Sequence, residues 1–128
     1  MIKDKNYYEL LLPQFDCRFS MSVRNKYFEM IKSGKKDIEL RAFDEKRKKM
    51  KTGDKFLLYD AENPDNYIIC KILNMHIAPD FQTLFTKIDI TRSGFKSIPE
   101  LEETVFKFIS KEEFAKNSVV GIEIERVK

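Results

Sequence analysis

Apolar and polar residues alternate in five short stretches of the chain, at the period of two that is typical of β-strands. These predicted strands cover residues 19–23, 37–43, 55–59, 67–77 and 119–124. The third and fourth strands are separated by the turn-forming residues 62–66, so we expect them to pair as a hairpin. The pattern therefore predicts a sheet of about five strands.

Between the strands, apolar residues recur at the spacing of three and four that indicates short helices. One helix begins at Asn25 and ends at Gly34, because glycine adopts the left-handed conformation of a helix C-terminus most easily. Other helical segments are predicted at residues 7–12, 44–50, 80–85, 101–109 and from Ser110 onwards. Residues 86–98 follow neither period. Because strands and helices do not alternate strictly, the pattern favours a small α+β barrel over a doubly wound sheet.

The composition excludes several classes of protein. A chain of 128 residues fits one compact domain, and its 11 Phe and 5 Tyr supply enough apolar area for a core. The apolar run at residues 10–13 is too short for a membrane span and lacks the form of a secretory signal. Cys17 and Cys70 are then expected to be reduced thiols in the cytoplasm. With one histidine beside them, they cannot form a four-ligand zinc site, so we expect no metal and no cofactor.

Positive charge is concentrated in one part of the chain. The formal net charge of the whole chain is only +3, but residues 24–55 carry twelve Lys or Arg against six Asp or Glu. Within them, residues 46–51 hold five cations in six positions. Such a field suits an anionic partner, and nucleic acid is the most common one. The alternative interpretation is that the basic run is a solvated helix surface.

Three charged side chains alternate along the second predicted strand: Asp37, Glu39 and Arg41. Alternate residues of a strand point to the same side, so these three are predicted to share one face. Ile38 and Leu40 would then fill the barrel from the other face.

Lys36 precedes this strand directly, and the turn at Gly34 rather than the pleat sets its direction. A Lys, a Glu and an Arg at one strand start are able to bind a phosphate and the edge of a base together. The alternative is an exposed strand face whose opposite charges pair weakly.

These residues resemble a known family. Gly34-x-Lys36-x-x-Glu39-x-Arg41 matches the GxKxxExR motif of the ASCH domain. The residues that flank the motif are also similar to those of bacterial members, in the helix before it, the basic turn and the Gly53-Asp54 strand start after it, and the closing helix and strand at residues 108–124. The resemblance covers residues 19–127, so we predict an ASCH domain at 19–128 and an N-terminal extension at 1–18.

The resemblance implies a PUA-like mixed β-barrel of five to six strands with short flanking helices and a cleft lined by the motif. It also implies binding of RNA or a nucleotide-like ligand in the cleft, where we expect Lys36, Glu39 and Arg41 to contact it. Apart from the resemblance, we expect the basic run 46–51, with Lys48 and Lys49, to add nonspecific attraction to phosphates. One branch of the family hydrolyses N4-acetylcytidine with a Lys base and a Thr nucleophile. Here Lys36 matches the base, but Glu39 stands at the place of the Thr. A carboxylate cannot replace that nucleophile, which counts against the hydrolase.

Two other functions stay open at this point. One is an enzyme that acts on a modified nucleoside or cleaves RNA, for which Lys36 and Glu39 are the candidate catalytic residues. The other is a protein-binding adaptor, which predicts an exposed apolar patch at residues 7–12. We expect a cytoplasmic monomer that does not associate with membranes.

Overall fold

The computed structural model describes residues 5–128, and the side chains from Tyr7 onwards. Of the predicted extension 1–18, residues 1–4 therefore lie outside the described part. Five strands form one mixed sheet: β1 (Phe19–Val23), β2 (Ile38–Ala42), β3 (Lys55–Asp60), β4 (Tyr67–Ala78) and β5 (Val119–Arg126). Their order across the sheet is β1-β3-β4-β5-β2.

The sheet curls into a half-barrel whose two edges are β1 and β2. The predicted hairpin is confirmed, since β3 and β4 pair antiparallel with Leu57 opposite Ile69. β5 joins β4 to β2 through two further antiparallel pairings. The parallel pairing of β1 with β3 was not part of the sequence prediction. The predicted α+β class with a small curled sheet and short flanking helices is thereby confirmed.

Short helices connect the strands. They are α1 (Lys5–Leu11), α2 (Asn25–Lys32), α3 (Glu45–Lys48), α4 (Phe81–Leu84), α5 (Ile98–Val105) and α6 (Lys111–Asn117), with 3-10 turns at Leu12–Phe15 and Ile90–Ser93. The helix predicted at 101–109 starts earlier because Ser97 caps it, accepting a hydrogen bond from the Glu100 amide at 3.3 Å. It also ends earlier, at Val105, and this leaves residues 106–110 as a connection. No helix within residues 5–128 is long and apolar enough to cross a membrane.

The apolar side chains form three clusters. The first fills the concave side of the half-barrel and includes Phe28, Phe56, Leu58, Ile72 and Ile122. The second lies between the sheet and helices α4 to α6 and includes Ile38, Phe81, Leu101 and Phe114. The prediction that Ile38 and Leu40 fill the barrel is therefore wrong: both pack in this second cluster. The pleat assigns residues to two faces, but the curl of the whole sheet decides which face is concave.

The third cluster attaches the N-terminal segment to the sheet. Tyr8 is fully buried against Leu57 and Ile69, and its ring stacks on that of Tyr59 with centroids 4.0 Å apart. Leu10, by contrast, is 74% exposed. Most of the apolar residues expected to form an exposed adaptor patch therefore pack against the convex side of β3 and β4.

Candidate functional site

Side chains bridge the two edges of the half-barrel. Arg41 on β2 donates from Nη2 to the Ser22 carbonyl on β1 at 2.7 Å, and Lys46 after β2 donates from Nζ to the Ser20 carbonyl at 3.0 Å. Carbonyl groups of an edge strand need partners outside the ladder, and here two cations supply them. The bridges hold the edges together but leave an opening between them.

The opening leads into a cavity of about 400 Å³, which is within the usual range for small-molecule sites. Three aromatic rings line it, from Tyr27, Phe95 and Phe108. Lys36, Glu39 and Arg41 line it as well. The cavity therefore combines apolar, aromatic walls with one cluster of charged groups.

Lys36 points into the protein, a direction that strand alternation alone left undetermined. The residue is 3% exposed, and its Nζ donates to the carbonyls of Ile38 at 2.5 Å and Ser93 at 2.7 Å. Its third contact is Glu39 Oε1 at 3.3 Å. An ammonium group has three donors. All three are used within the protein, so Lys36 holds Glu39 and the 3-10 turn at Ser93 in position.

Glu39 is buried between two cations. Its Oε2 accepts from Arg41 Nε at 3.0 Å and Nη2 at 2.7 Å, while Oε1 faces Lys36. Burial raises the pKa of Glu39, but Arg41 and then Lys36 outweigh it and hold this pKa below its usual range. Burial lowers the pKa of Lys36, and Glu39 partly opposes that change. Glu39 is therefore ionised, and the cluster carries two cations for one anion.

Asp37 does not join this cluster, so the prediction of a shared face with Glu39 and Arg41 is wrong for Asp37. Strand β2 begins only at Ile38, and the pleat does not extend to the residue before it. Both oxygens of the Asp37 carboxylate accept from Arg92 at 2.9 Å. This pair lies on the other side of β2, where Arg92 also approaches Glu123 at 3.4 Å.

The basic run divides into two parts. Lys46 and Arg47 are used within the fold, through the Ser20 carbonyl and through Asp44 at 3.1 Å. Lys48 and Lys49, at the end of α3, are exposed; Lys48 meets Glu45 at 3.4 Å in a solvated ion pair and lies 6.0 Å from the centre of the Phe43 ring. The structure places these two lysines outside the cavity that holds Lys36, Glu39 and Arg41.

Sequence reasoning missed the aromatic walls that come from the region after β4. Gly94 has a φ of 88°, and an added Cβ there would lie 3.2 Å from Met30 Cε and 3.4 Å from Lys36 Cδ. This glycine allows the chain to pass over Lys36 and bring Phe95 to the cavity. The dipeptide Gly94-Phe95 in a stretch without periodicity is the only sequence signal of this arrangement. No group of three His, Cys, Asp or Glu in the described part of the chain forms a metal site.

The sequence model of the ASCH domain matches residues 21–128. The chain belongs to the ASCH domain family. A crystal structure of hypothetical protein PH0355 is similar to this ASCH domain, with 32% identity, a TM-score of 0.74, and coverage of 85% of this chain and 98% of that one. The solution structure of protein PF0455 from Pyrococcus furiosus has 28% identity and a TM-score of 0.69, and covers 86% of this chain and 97% of that one.

A more distant structure shares the fold alone. The crystal structure of ASCH from Zymomonas mobilis is 15% identical, with a TM-score of 0.55, and the match covers 83% of this chain and 65% of that chain. No curated protein matches this ASCH domain in sequence. The comparisons thus establish the family and the fold, while the ligand has to be argued from the cavity.

Proposed function

We propose that this ASCH domain binds a nucleotide, either free or within RNA, and that its base enters the main cavity. The observation that carries the proposal is the meeting of three aromatic rings with the buried cluster of Lys36, Glu39 and Arg41 in one cavity. Aromatic rings stack on bases, and a base that leaves a nucleic-acid stack is recognised by hydrogen bonds to its edge.

The charged cluster has unused hydrogen-bonding capacity for such an edge. An ionised carboxylate accepts about four hydrogen bonds, and Glu39 receives two from Arg41 and a third contact from Lys36. Within the described part of the chain, Arg41 donates its three side-chain hydrogen bonds from Nε and Nη2, and Nη1 donates none. An adjacent acceptor and donor suit a base with an exocyclic amino group next to a ring acceptor, such as cytosine or adenine. Lys36 acts as the positioning residue for Glu39.

Substitution of Phe108 by alanine should weaken nucleoside binding about tenfold, since stacking on one aromatic ring contributes about 1–3 kcal/mol. The Phe108 ring lines the cavity and is 63% exposed, so its loss should not disturb folding. Binding is measured by NMR titration with cytidine, adenosine and uridine, and we expect uridine to bind most weakly. Leu10→Ala is the control, because Leu10 is also an exposed apolar residue, lies on helix α1 and does not line the cavity.

Absence of binding by any nucleoside, nucleotide or short RNA would overturn this proposal. Equal affinity for cytidine and uridine would contradict the amino-group contact with Glu39, and an unchanged affinity in Phe108→Ala would contradict the stacking.

The exposed pair Lys48 and Lys49 gives RNA binding a measurable salt signature. If both contact phosphates, changing both to glutamine should reduce the slope of log affinity against log salt by about 0.7 for each lost contact with single-stranded RNA. The measurement is fluorescence anisotropy of a labelled short RNA at several salt concentrations. A double change of Lys87 and Lys116 to glutamine, both exposed and outside the basic run, is the control. An unchanged slope would leave the run as a solvated surface.

A hydrolase acting on a modified nucleoside is the second candidate function, and a ribonuclease is a further form of it. The observation in its favour is the lowered pKa of Lys36, because an amine that gives up its proton more readily serves better as a base. Against it, Lys36 spends its three donors on protein groups, and the two cations keep Glu39 ionised. Chromatography of N4-acetylcytidine incubated with the protein separates the candidates: fast release of cytidine that disappears in Lys36→Ala would favour the enzyme.

The proposal also places this domain in the PUA-like superfamily, supported by the curled, mixed five-stranded sheet. The cytoplasmic location, the monomeric state and the boundary between an extension at 1–18 and the domain at 19–128 stay predictions from the sequence.

A further inference from the structure

A second cavity of about 330 Å³ lies beside the main one. The two cavities share the residues Arg41, Phe108 and Ile109 in their walls. Arg47 and Glu113 line only the second cavity. Because three residues belong to both walls, the two cavities are neighbours, and Arg41 borders both of them.

Arg47 is a guanidinium held in place with part of its donor capacity unused. Its side chain is 13% exposed, and Nη1 donates to Asp44 Oδ2 at 3.1 Å. Its Nε is buried and has no hydrogen-bond partner among the described residues. This buried Nε is closed to a ligand, but Nη2 makes none of the hydrogen bonds of Arg47 with the described residues and is the donor open to an acceptor from a ligand.

The charges around the two cavities leave an excess of positive charge. Glu39 balances one of the two cations beside it, and Asp44 balances Arg47. Burial lowers the pKa of Arg47, and the like charge of Arg41 lowers it further. The carboxylate of Glu113 at the wall of the cavity opposes an anion, but Glu113 is solvent-exposed and its field is screened.

We propose that the second cavity holds the phosphate of the nucleotide whose base occupies the main cavity, with Arg41 and Arg47 as its ligands. The proposal rests on the proposed function and deepens it: the ligand is a phosphorylated nucleotide unit rather than a free nucleoside. A phosphate offers several strong acceptor oxygens, and paired guanidinium groups with free N–H donors bind it with defined geometry. A 5′-phosphate and a 3′-phosphate present the same chemistry, so both are tested.

The test is a calorimetric titration of the whole chain with cytidine, cytidine 5′-monophosphate and cytidine 3′-monophosphate at physiological salt. We expect one of the monophosphates to bind about ten to a hundred times more tightly than cytidine, as is typical of hydrogen bonds to charged groups. Arg47→Gln should abolish this advantage and leave the affinity for cytidine unchanged. Arg126→Gln, an exposed arginine that lines neither cavity, removes the same charge and should preserve the advantage.

The affinity for cytidine in each variant reports whether the main cavity is intact, so a misfolded variant is recognised directly. Arg47→Lys keeps the charge but not the planar fork, and it should retain only part of the advantage. If cytidine binds and neither monophosphate binds more tightly, the phosphate site is wrong while the proposed function stands. An advantage that survives in Arg47→Gln would also overturn the phosphate site. If none of the three compounds binds, both proposals fail.

Discussion

Replacing Glu39 by glutamine is expected to lower the free energy of unfolding by about 3–5 kcal/mol, the range seen when one partner of a buried ion pair is removed. The substitution keeps the shape of the side chain but leaves the ammonium of Lys36 buried without a counter-charge. Both hydrogen bonds from Arg41 go to Oε2, so in the variant they meet a neutral amide oxygen and lose their charge assistance. The effect should therefore be among the largest of any single change in this chain.

A double-mutant cycle isolates the interaction between Lys36 and Glu39. Lys36→Met alone leaves two carbonyl groups without their donor, and Glu39→Gln alone leaves the Lys36 charge without its partner. The double variant should therefore lose less stability than the sum of the two single losses. Urea unfolding gives the four free energies. Asp37→Asn is the control, because the pair of Asp37 with Arg92 is half-exposed and should contribute about 1 kcal/mol or less. Additive losses at Lys36 and Glu39 would contradict a direct coupling.

The Glu39→Gln variant should also change how the free energy of unfolding depends on pH. Since the pKa of Glu39 is lowered in the folded protein, the unfolded chain takes up a proton there first as the pH falls. The stability that Glu39 contributes is present above its ordinary pKa and is lost as the pH falls towards the lowered value in the folded state. The free energy of unfolding of Glu39→Gln should therefore depend less on pH in the acidic range.

Local patterns predicted the secondary structure of this domain well. Alternation along residues 19–23 and 119–124 identified β1 and β5, and the turn residues at 62–66 identified the hairpin of β3 and β4. The serine at position 110 and the glycine at position 34 marked a helix start and a helix end. Each of these features depends on neighbouring residues, so the sequence contains all the information needed to predict it.

The site depends on features that no local pattern contains. The curl of the sheet, which is produced by all five strands together, turns Glu39 towards the concave side and Ile38 towards the helices. The direction of Lys36 follows from the carbonyl of Ser93, which is 57 residues away along the chain. Phe108 reaches the cavity because α5 ends at Val105, three residues before it. The motif therefore identified the charged residues of the cavity, while its aromatic walls required the tertiary structure.

At alkaline pH the protein should lose stability through groups whose pKa is raised by burial, among them Cys70 and Tyr8, and two substitutions separate the contributions of these two. Burial raises the pKa of the Cys70 thiol from 9.0 to about 12, and burial together with Tyr59 and Asp65 raises the pKa of Tyr8 from 10.0 to about 12. Between the ordinary and the raised values, the unfolded chain has released the proton and the folded chain still holds it. The unfolded state then binds fewer protons, so stability falls as the pH rises, by about 1.4 kcal/mol per pH unit for one fully titrating group.

Urea unfolding with a reductant present, at several pH values from 8 upwards, measures this loss. Cys70→Ala should flatten the decline from about pH 9, and Tyr8→Phe should flatten it only above about pH 10, because these are the ordinary pKa values of the two groups. Ile69→Val is the control, since a change without a titrating group should lower stability equally at every pH. The lowered pKa of Lys36 makes the folded state more stable as the pH rises, which opposes the loss from Cys70 and Tyr8. Since Lys36 is present in every variant, its contribution cancels when the variants are compared.

The comparison of Tyr8→Phe with the unsubstituted protein also tests whether helix α1 stays packed on the sheet in solution. Tyr8 is fully buried on the convex side of the sheet, where it stacks on Tyr59. If α1 leaves the sheet in solution, as a segment that contacts a partner protein would, the phenol is hydrated and its pKa returns to the ordinary range. The pH dependence of Tyr8→Phe would then match that of the unsubstituted protein above pH 10. A clear difference between the two curves would instead require that α1 stays packed on β3 and β4 until the whole domain unfolds.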